Sequence, residues 1–140
     1  MSRNQYHDHL RAVPLFADLD DSDLEVVGSA VTELSFTEGD VLMRAGSSSR
    51  EMVIVEEGEL SVLLGETEIA TIGAGGFAGE MGLLADRPRN ATVAAKTATR
   101  VLHIDSRSFD AVLEEAPQIA VKMLPVVARR AVANSAPQLD

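Results

Sequence analysis

The chain has 140 residues, of which 46% are hydrophobic, and contains no cysteine. This length allows one domain with one core, and the lack of cysteine excludes disulfides, thiolate metal ligands and a thiol nucleophile. Its 22 acidic and 12 basic residues give a net charge of −10 at pH 7. The basic residues are scattered, so the composition argues against binding to a nucleic acid.

The first part of the chain, residues 1–33, is predicted to be helical. Its polar beginning lacks the apolar core of a signal peptide, and no apolar stretch in the chain reaches transmembrane length, so we expect a cytoplasmic protein. Ser22 and Glu25 have the spacing of a capping box, with Ser22 as the N-cap. The apolar residues that follow at helical spacing are Leu24, Val27 and Val31.

Residues 34–105 consist of short β-rich segments separated by glycines. The strand candidates are residues 41–43, 51–55, 60–64, 69–72, 91–95 and 100–104. Glu57-Gly58 predicts a hairpin turn. Many short strands with regular turn signals are typical of a sandwich or barrel. We therefore expect a mainly β fold, a jelly roll with flanking N-terminal and C-terminal helices.

Residues 106–134 return to a helical pattern, with Ser106 as a predicted N-cap. Pro117 is expected to separate two helices, and Pro125 to kink the second or divide it in two. Residues 118–132 are almost entirely apolar, more than one packing face requires. Such a helix needs a second surface to cover, which could be a ligand, another subunit or a missing domain.

The segment from Gly76 to Arg89 carries the chemistry of a binding site. A glycine-lined loop that begins a helix offers backbone N–H groups to an anion, and Arg89 adds a planar, two-pronged cation for phosphate oxygens. The carboxylate of Glu80 accepts hydrogen bonds from hydroxyl groups such as those of a ribose. These groups together suit a sugar phosphate.

This segment resembles the phosphate-binding cassette of the cyclic nucleotide-binding domain family, which includes the bacterial catabolite activator, regulatory subunits of cyclic-AMP-dependent protein kinase and cyclic-nucleotide-gated channels. The residues that carry the resemblance are Gly79-Glu80, Leu83-Leu84 and Arg89-Asn90-Ala91-Thr92-Val93. Further similarity lies in Pro14–Phe16, in glycines 39, 46 and 58, and in Val53–Val62. The family often has Phe where this chain has Ala78, and we expect the adjacent Phe77 to fill that space.

The resemblance implies a double-stranded β-helix with a short cassette helix, forming a single domain over residues 1–140 with the cassette at 76–92. By the same resemblance, Glu80 would hold the ribose 2′-hydroxyl and Arg89 the cyclic phosphate. The implied ligand-binding residues are Ala78, Gly79, Glu80, Met81, Gly82, Arg89, Asn90 and Ala91. The C-terminal helices would act as a hinge and lid, with base contacts from Met123, Val126 or Val127.

The function implied is that of a cyclic nucleotide sensor, with cyclic AMP favoured over cyclic GMP as ligand. Asn90 follows the arginine and can both donate and accept hydrogen bonds, so the base preference stays open. The expected partners are the nucleotide and a protein partner or missing effector domain, with a homodimer through the C-terminal helix as a further option. No nucleic-acid partner, membrane span, cofactor or metal is expected.

Two alternatives remain open at this point. In the first, the fold is an interaction or dimerisation module without a ligand, in which Glu80 caps a helix and Arg89 pairs with Asp86 or Glu80. In the second, His7 and His9 belong to a cupin-like metalloenzyme, although no matching glutamate and third histidine follow on the sheets. Ser47–Ser49 have no histidine nearby in sequence, and we expect a protein without enzymatic activity.

Overall fold

The computed structural model describes residues 6–48, 50–85 and 88–135, with side chains up to Arg129. The chain divides into two compact units. A helical unit combines the two ends of the chain, up to Ser29 and from Asp110, and a β unit runs from Ala30 to Phe109. The predicted division into residues 1–33, 34–105 and 106–134 stays a prediction.

The strands of the β unit form two antiparallel four-stranded sheets within the described residues. In chain order they are β1 Thr32–Phe36, β2 Val41–Met43, β3 Glu51–Glu57, β4 Leu60–Leu64, β5 Thr67–Ile72, β6 Phe77–Ala78, β7 Thr92–Ala95 and β8 Thr99–Asp105. One sheet has the order β1-β8-β3-β6 and the other β2-β7-β4-β5. This arrangement confirms the expected mainly β jelly roll.

The core of the β unit is built from apolar side chains of both sheets. Its buried members are Met43, Val53, Val55, Leu60, Val93, Ala95 and Val101. Residues 52–55 of β3 are all buried. Because successive side chains of a strand point to opposite faces, β3 is covered on both sides and provides a fixed base for the loops attached to it.

Each predicted strand is present, with its ends shifted by at most two residues. The hairpin predicted at Glu57-Gly58 is wrong, because β3 and β4 belong to different sheets. Gly58, with a φ of 97°, instead lies in the connection between the two sheets. Two strands were not among the candidates, β1 and β6. β6 has only two residues, which is too short for an alternating pattern to be recognised.

The helical unit contains α1 (His7–Arg11), a 3-10 helix at Pro14–Phe16 and α2 (Asp21–Gly28). The predicted N-cap at Ser22 is wrong, because α2 begins at Asp21, two residues before the predicted start, and is capped by Asp20. The Asp20 side chain accepts from the Asp23 N–H at 2.9 Å, and the Asp23 side chain accepts from the Asp20 N–H at 3.3 Å. These two carboxylates form the capping box that the sequence placed at Ser22 and Glu25.

Asp23 also ties the C-terminal helix to α2. Its side chain accepts hydrogen bonds from Gln118 and Lys122 of α4 (Gln118–Ser135). Burial by itself would raise the pKa of Asp23, but the hydrogen bonds from Lys122 and Gln118 outweigh it and leave the pKa below its ordinary value. The carboxylate is therefore charged, and it has hydrogen-bond donors inside the helical unit.

The C-terminal helices begin and end differently from the prediction at two points. In α3 (Ser106–Glu115), Asp105 accepts from the Ser108 N–H at 2.7 Å, so Asp105 takes the capping role expected of Ser106. Pro117 lies between α3 and α4 as predicted, whereas Pro125 lies inside a continuous α4, so the predicted division of that helix is wrong. No helix in the described ranges combines the length and hydropathy that a membrane span requires.

Candidate functional site

The Gly-Glu pair opens a short turn directly after β6. We name this turn, Gly79–Leu83, the cassette turn. Gly79 has a φ of 84°, which a residue with a side chain rarely adopts, and residues 80–83 form a 3-10 helix. The Gly82 N–H donates to the Gly79 carbonyl at 2.9 Å. Glu80 is only 6% exposed, so the turn holds a buried carboxylate at its start.

Arg89 faces this turn from the segment that leads into β7. Its main chain is fixed to the loop after β2, since the Arg89 N–H donates to Ser47 and the Arg89 carbonyl accepts from Gly46, both at 2.8 Å. Its Nη2 donates to the main-chain carbonyl of Glu51 at 2.6 Å. Its Nε is buried and has no hydrogen-bond partner among the described residues.

The two glycines of the cassette turn lie against the Arg89 guanidinium. A Cβ on Gly82 would lie 2.9 Å from Nη1 and 3.0 Å from Nη2, and a Cβ on Gly79 would lie 2.8 Å from Nη1. Real Cβ atoms do not come this close to other heavy atoms, so a side chain at either position would push the arginine away. That these glycines line an anion stays a prediction, whereas the structure shows that they make room for the arginine.

A second arginine, which the sequence analysis did not identify, holds the other end of the cassette turn. Arg50 donates from Nε to the Gly82 carbonyl at 3.3 Å and from Nη2 to the Leu83 carbonyl at 3.0 Å. It precedes β3 and is separated from these carbonyls by 32 and 33 positions in sequence. No local pattern could have predicted the contact, because only the pairing of β6 with β3 brings the two segments together.

The residue after Arg50 links the site to β8. The Glu51 carboxylate lies 2.9 Å from His103 Nε2. The hydrogen bond with Glu51 raises the pKa of His103, although burial opposes the shift, and the charges of Glu51 and Asp105 add to it. Glu51 therefore contacts His103 with its side chain and Arg89 with its main chain.

The remaining predicted cassette residues lie around this centre. Ala78 pairs with Val53 in β6 and packs against the core of the β unit. Phe77 pairs with Ile54 and, as a neighbour in the same strand, points to the opposite face, so the expectation that Phe77 fills the space beside Ala78 is wrong. Met81 and Ala91 are half-buried and Asn90 is exposed. Asp86, like Arg87, lies outside the described residues.

The residues expected to contact a base lie in α4, in the helical unit. Met123 is 2% exposed and Val126 9%, while Val127 is half-buried. Their contact with a base stays a prediction.

The described residues also bear on the metal alternative. Within residues 6–48, 50–85 and 88–135, no group of three or more histidine, cysteine, aspartate or glutamate residues is placed to hold a metal ion. His7 and His9 both lie in α1. The described side chains thus provide no donor set around either histidine.

Comparison with known proteins gives many similar curated relatives, among them two kinase regulatory subunits and a potassium channel. The chain is 29% identical to cAMP-dependent protein kinase regulatory subunits from Hypocrea atroviridis, over 79% of this chain and 24% of the relative, and from Schizosaccharomyces pombe, over 81% and 28%. It is 35% identical to a cyclic nucleotide-gated potassium channel from Mesorhizobium japonicum, over 78% of this chain and 30% of the relative. The chain thus spans 24–30% of the length of these proteins.

A solved structure and a family model agree with these relatives. The crystal structure of the N-terminal domain of a transcriptional regulator from Streptomyces coelicolor A3(2) superposes with a TM-score of 0.85 and 28% identity, over 95% of this chain and 96% of that one. Residues 33–116 match the model of the cyclic nucleotide-binding domain. The chain therefore belongs to the cyclic nucleotide-binding domain family, whose members are regulatory domains.

Proposed function

We propose that this protein is a sensor that binds a cyclic purine nucleotide at the cassette turn, with cyclic AMP preferred over cyclic GMP, and that it has no enzymatic activity. The observation that carries the proposal is the state of Arg89. Its guanidinium is held by one carbonyl and two glycines, yet its Nε is buried without a partner among the described residues. A buried donor without a partner is costly, and a phosphate oxygen would satisfy it.

In this proposal each group of the site recognises one part of the ligand. Arg89 neutralises the cyclic phosphate, Glu80 accepts a hydrogen bond from the ribose 2′-hydroxyl, and the main chain around residues 78–82, 90 and 91 completes the phosphate cradle. The protein has a net charge of −10. Because this charge repels an anion, binding depends on local compensation, which Arg89 supplies.

Two of the relatives are named for their dependence on cyclic AMP, which supports that ligand over cyclic GMP. Asn90 adjoins Arg89 and is exposed, so its amide is accessible. An amide can pair with either purine by donating or accepting, and we therefore expect a preference of modest size.

The proposed signal is a rearrangement of α3 and α4. In this proposal Met123 and Val126, which are buried in α4, or Val127 contact the purine after α4 moves. Binding and movement are then coupled, and the ligand shifts the helix equilibrium by its differential affinity, typically about 1–3 kcal/mol. A protein partner or an attached domain would respond to the new position of the helices.

A thermal-shift panel tests the proposed function, with cyclic AMP, cyclic GMP and linear AMP compared side by side. A ligand at about 100 times its dissociation constant stabilises a protein by about 2.7 kcal/mol. We expect the largest rise in Tm with cyclic AMP, a smaller one with cyclic GMP and none with AMP. Equal shifts with all three compounds, or no shift with any, would contradict the proposal.

One observation favours the alternative of an interaction module. Val121 and Leu124 of α4 are 65% and 62% exposed, although both are large and apolar. A dimer through α4 would cover them. Sedimentation equilibrium that shows a dimer, together with no nucleotide-dependent change in Tm, would support this alternative over the sensor.

A further inference from the structure

Arg50 contacts the cassette turn at its C-terminal end, where it donates to two main-chain carbonyls. The last carbonyls of a short helix have no hydrogen-bond donor within the helix and carry partial negative charge. Arg50 supplies two donors there, Nε to Gly82 and Nη2 to Leu83. A planar guanidinium can serve two adjacent carbonyls at once, which the single ammonium of lysine does poorly.

Arg50 itself has a rigid support. Its carbonyl accepts from the Ser106 N–H at 2.9 Å, and the next residue, Glu51, is paired with Asp105 across the β3–β8 ladder. The Glu51 carbonyl in turn accepts from Arg89. Two consecutive residues at the start of β3 therefore hold the two halves of the site, the cassette turn through Arg50 and the phosphate-binding arginine through Glu51.

From this geometry we infer that Arg50 is a positioning residue for nucleotide binding, an inference that rests on the proposed function. It fixes the position of the cassette turn relative to Arg89, so that Glu80 and the turn amides can contact the ribose and the phosphate of one ligand at the same time. Its side chain acts through the Gly82 and Leu83 carbonyls and makes no ligand contact of its own in this proposal. Loss of Arg50 should therefore loosen the turn even when no ligand is present.

Hydrogen exchange of the ligand-free protein tests this role directly. The amides to follow are those of Gly82, Leu84 and Ala85, which donate to carbonyls of the cassette turn. In Arg50→Ala we expect their exchange to become about tenfold faster, while the amides of β4 and β7 keep the wild-type rates. Arg50→Lys, which retains a donor, should give an intermediate rate. Unchanged exchange at all three amides in Arg50→Ala would overturn the inference.

Arg100 provides a matched control for the loss of one positive charge in the same unit. It contacts Glu56 and Glu57 at the far end of β3 from Glu51, and its side chain is 50% exposed. We expect Arg100→Ala to leave the exchange of the cassette turn and the nucleotide affinity at wild-type values. A tenfold change in this control would show that net charge, and not Arg50, determines both readouts.

A second experiment separates positioning from direct contact with the phosphate. Affinities for cyclic AMP and 2′-deoxy cyclic AMP are measured in wild type and in Arg50→Ala. Loss of the 2′-hydroxyl should weaken wild type by about 10–100-fold, the range for a hydrogen bond to a charged group. In Arg50→Ala we expect this factor to fall below about threefold, because Glu80 no longer meets the ribose.

The outcomes distinguish this inference from the proposed function. An equal loss of affinity for both nucleotides in Arg50→Ala, with the 2′-hydroxyl factor unchanged, would show direct phosphate contact and overturn the positioning role. If neither nucleotide binds to wild type, the proposed function fails, and the exchange experiment still decides whether Arg50 holds the cassette turn.

Discussion

Arg89 donates from Nη2 to the main-chain carbonyl of Glu51 at 2.6 Å, so the guanidinium proposed to bind phosphate is already anchored to β3. A main-chain carbonyl cannot move without its strand, and β3 lies between β8 and β6 in its sheet. The arginine is thereby oriented before a ligand arrives, which lowers the entropy lost on binding. The arrangement leaves Nε, buried and without a partner among the described residues, for the ligand.

Gly82→Ala should weaken nucleotide binding by about tenfold or more, with little effect on the fold of the β unit. The new Cβ would lie 2.9–3.1 Å from three atoms of the Arg89 guanidinium, which must move away from its aligned position. Gly73→Ala is the matched control, since a Cβ there meets no atom within 4 Å. Calorimetric titration of both variants is the measurement, and equal affinities for the two would contradict the packing described for Gly82.

The His103–Glu51 pair should make stability depend on pH. Because the pKa of His103 is raised from 6.5 in the folded state, the pair contributes its full stabilisation below that value and loses it as pH rises through the folded pKa. We expect wild type to exceed His103→Gln in free energy of unfolding by more at about pH 5 than at about pH 8.5. Urea unfolding at both pH values measures the difference.

The control for that prediction is Glu51→Gln, which removes the partner and keeps the histidine. It should lose the same pH-dependent part of the stability, since the hydrogen bond with Glu51 is the main cause of the raised pKa. A pH dependence that survives in Glu51→Gln would assign the effect to another group, with Asp105 as the nearest candidate.

Asp23→Ala should lower the free energy of unfolding by about 2 kcal/mol, because it removes half of a capping box and the acceptor for Gln118 and Lys122. Asp21→Ala is the control, since Asp21 lies two residues before Asp23 in α2 and its side chain is 82% exposed. A surface change of this kind costs at most about 0.5 kcal/mol. The free energies of unfolding are measured by urea unfolding. If they fall by similar amounts in the two variants, the buried contacts of Asp23 add nothing to stability.

The conformation of the connection between β3 and β4 can be tested through its glycine. A Cβ on Gly58 would lie 2.4 Å from the Ala98 carbonyl, whereas a Cβ on Gly39, which has a similar positive φ, meets nothing within 4 Å. Gly39→Ala should therefore cost only the strain of its backbone, about 1 kcal/mol, and Gly58→Ala at least about 1 kcal/mol more. Equal losses of Tm would contradict this close approach of Gly58 to Ala98.

The identity of the family, the jelly roll and most strands were predictable because their signals are local. Gly79-Glu80 and Arg89 lie close together in sequence, and the strands between the glycines have a recognisable composition. Family membership and the fold class are confirmed. The capping residues at α2 and α3 were misplaced because several Asp and Ser residues compete there, and only the backbone geometry selects Asp20 and Asp105.

The supporting residues of the site could not be predicted from local patterns. Arg50 and Glu51 look like ordinary charged residues before a strand, and His103 like a histidine within one. Their contacts depend on the register of β3 with β6 and β8, which pairs Val53 with both Ala78 and His103. Register is a property of the assembled sheets, so the sequence indicated candidate binding residues but not the residues that hold them in place.

Calorimetric titration of wild type, Arg89→Ala and Arg89→Lys with cyclic AMP tests the central claim most directly, with Arg100→Ala as the charge-matched control. We predict that Arg89→Ala loses about 2–5 kcal/mol of binding free energy, because the phosphate then lacks its buried cation. Arg89→Lys should also bind more weakly, since a point charge does not reproduce the planar fork, while Arg100→Ala binds as wild type does. Wild-type affinity in Arg89→Ala would contradict the account.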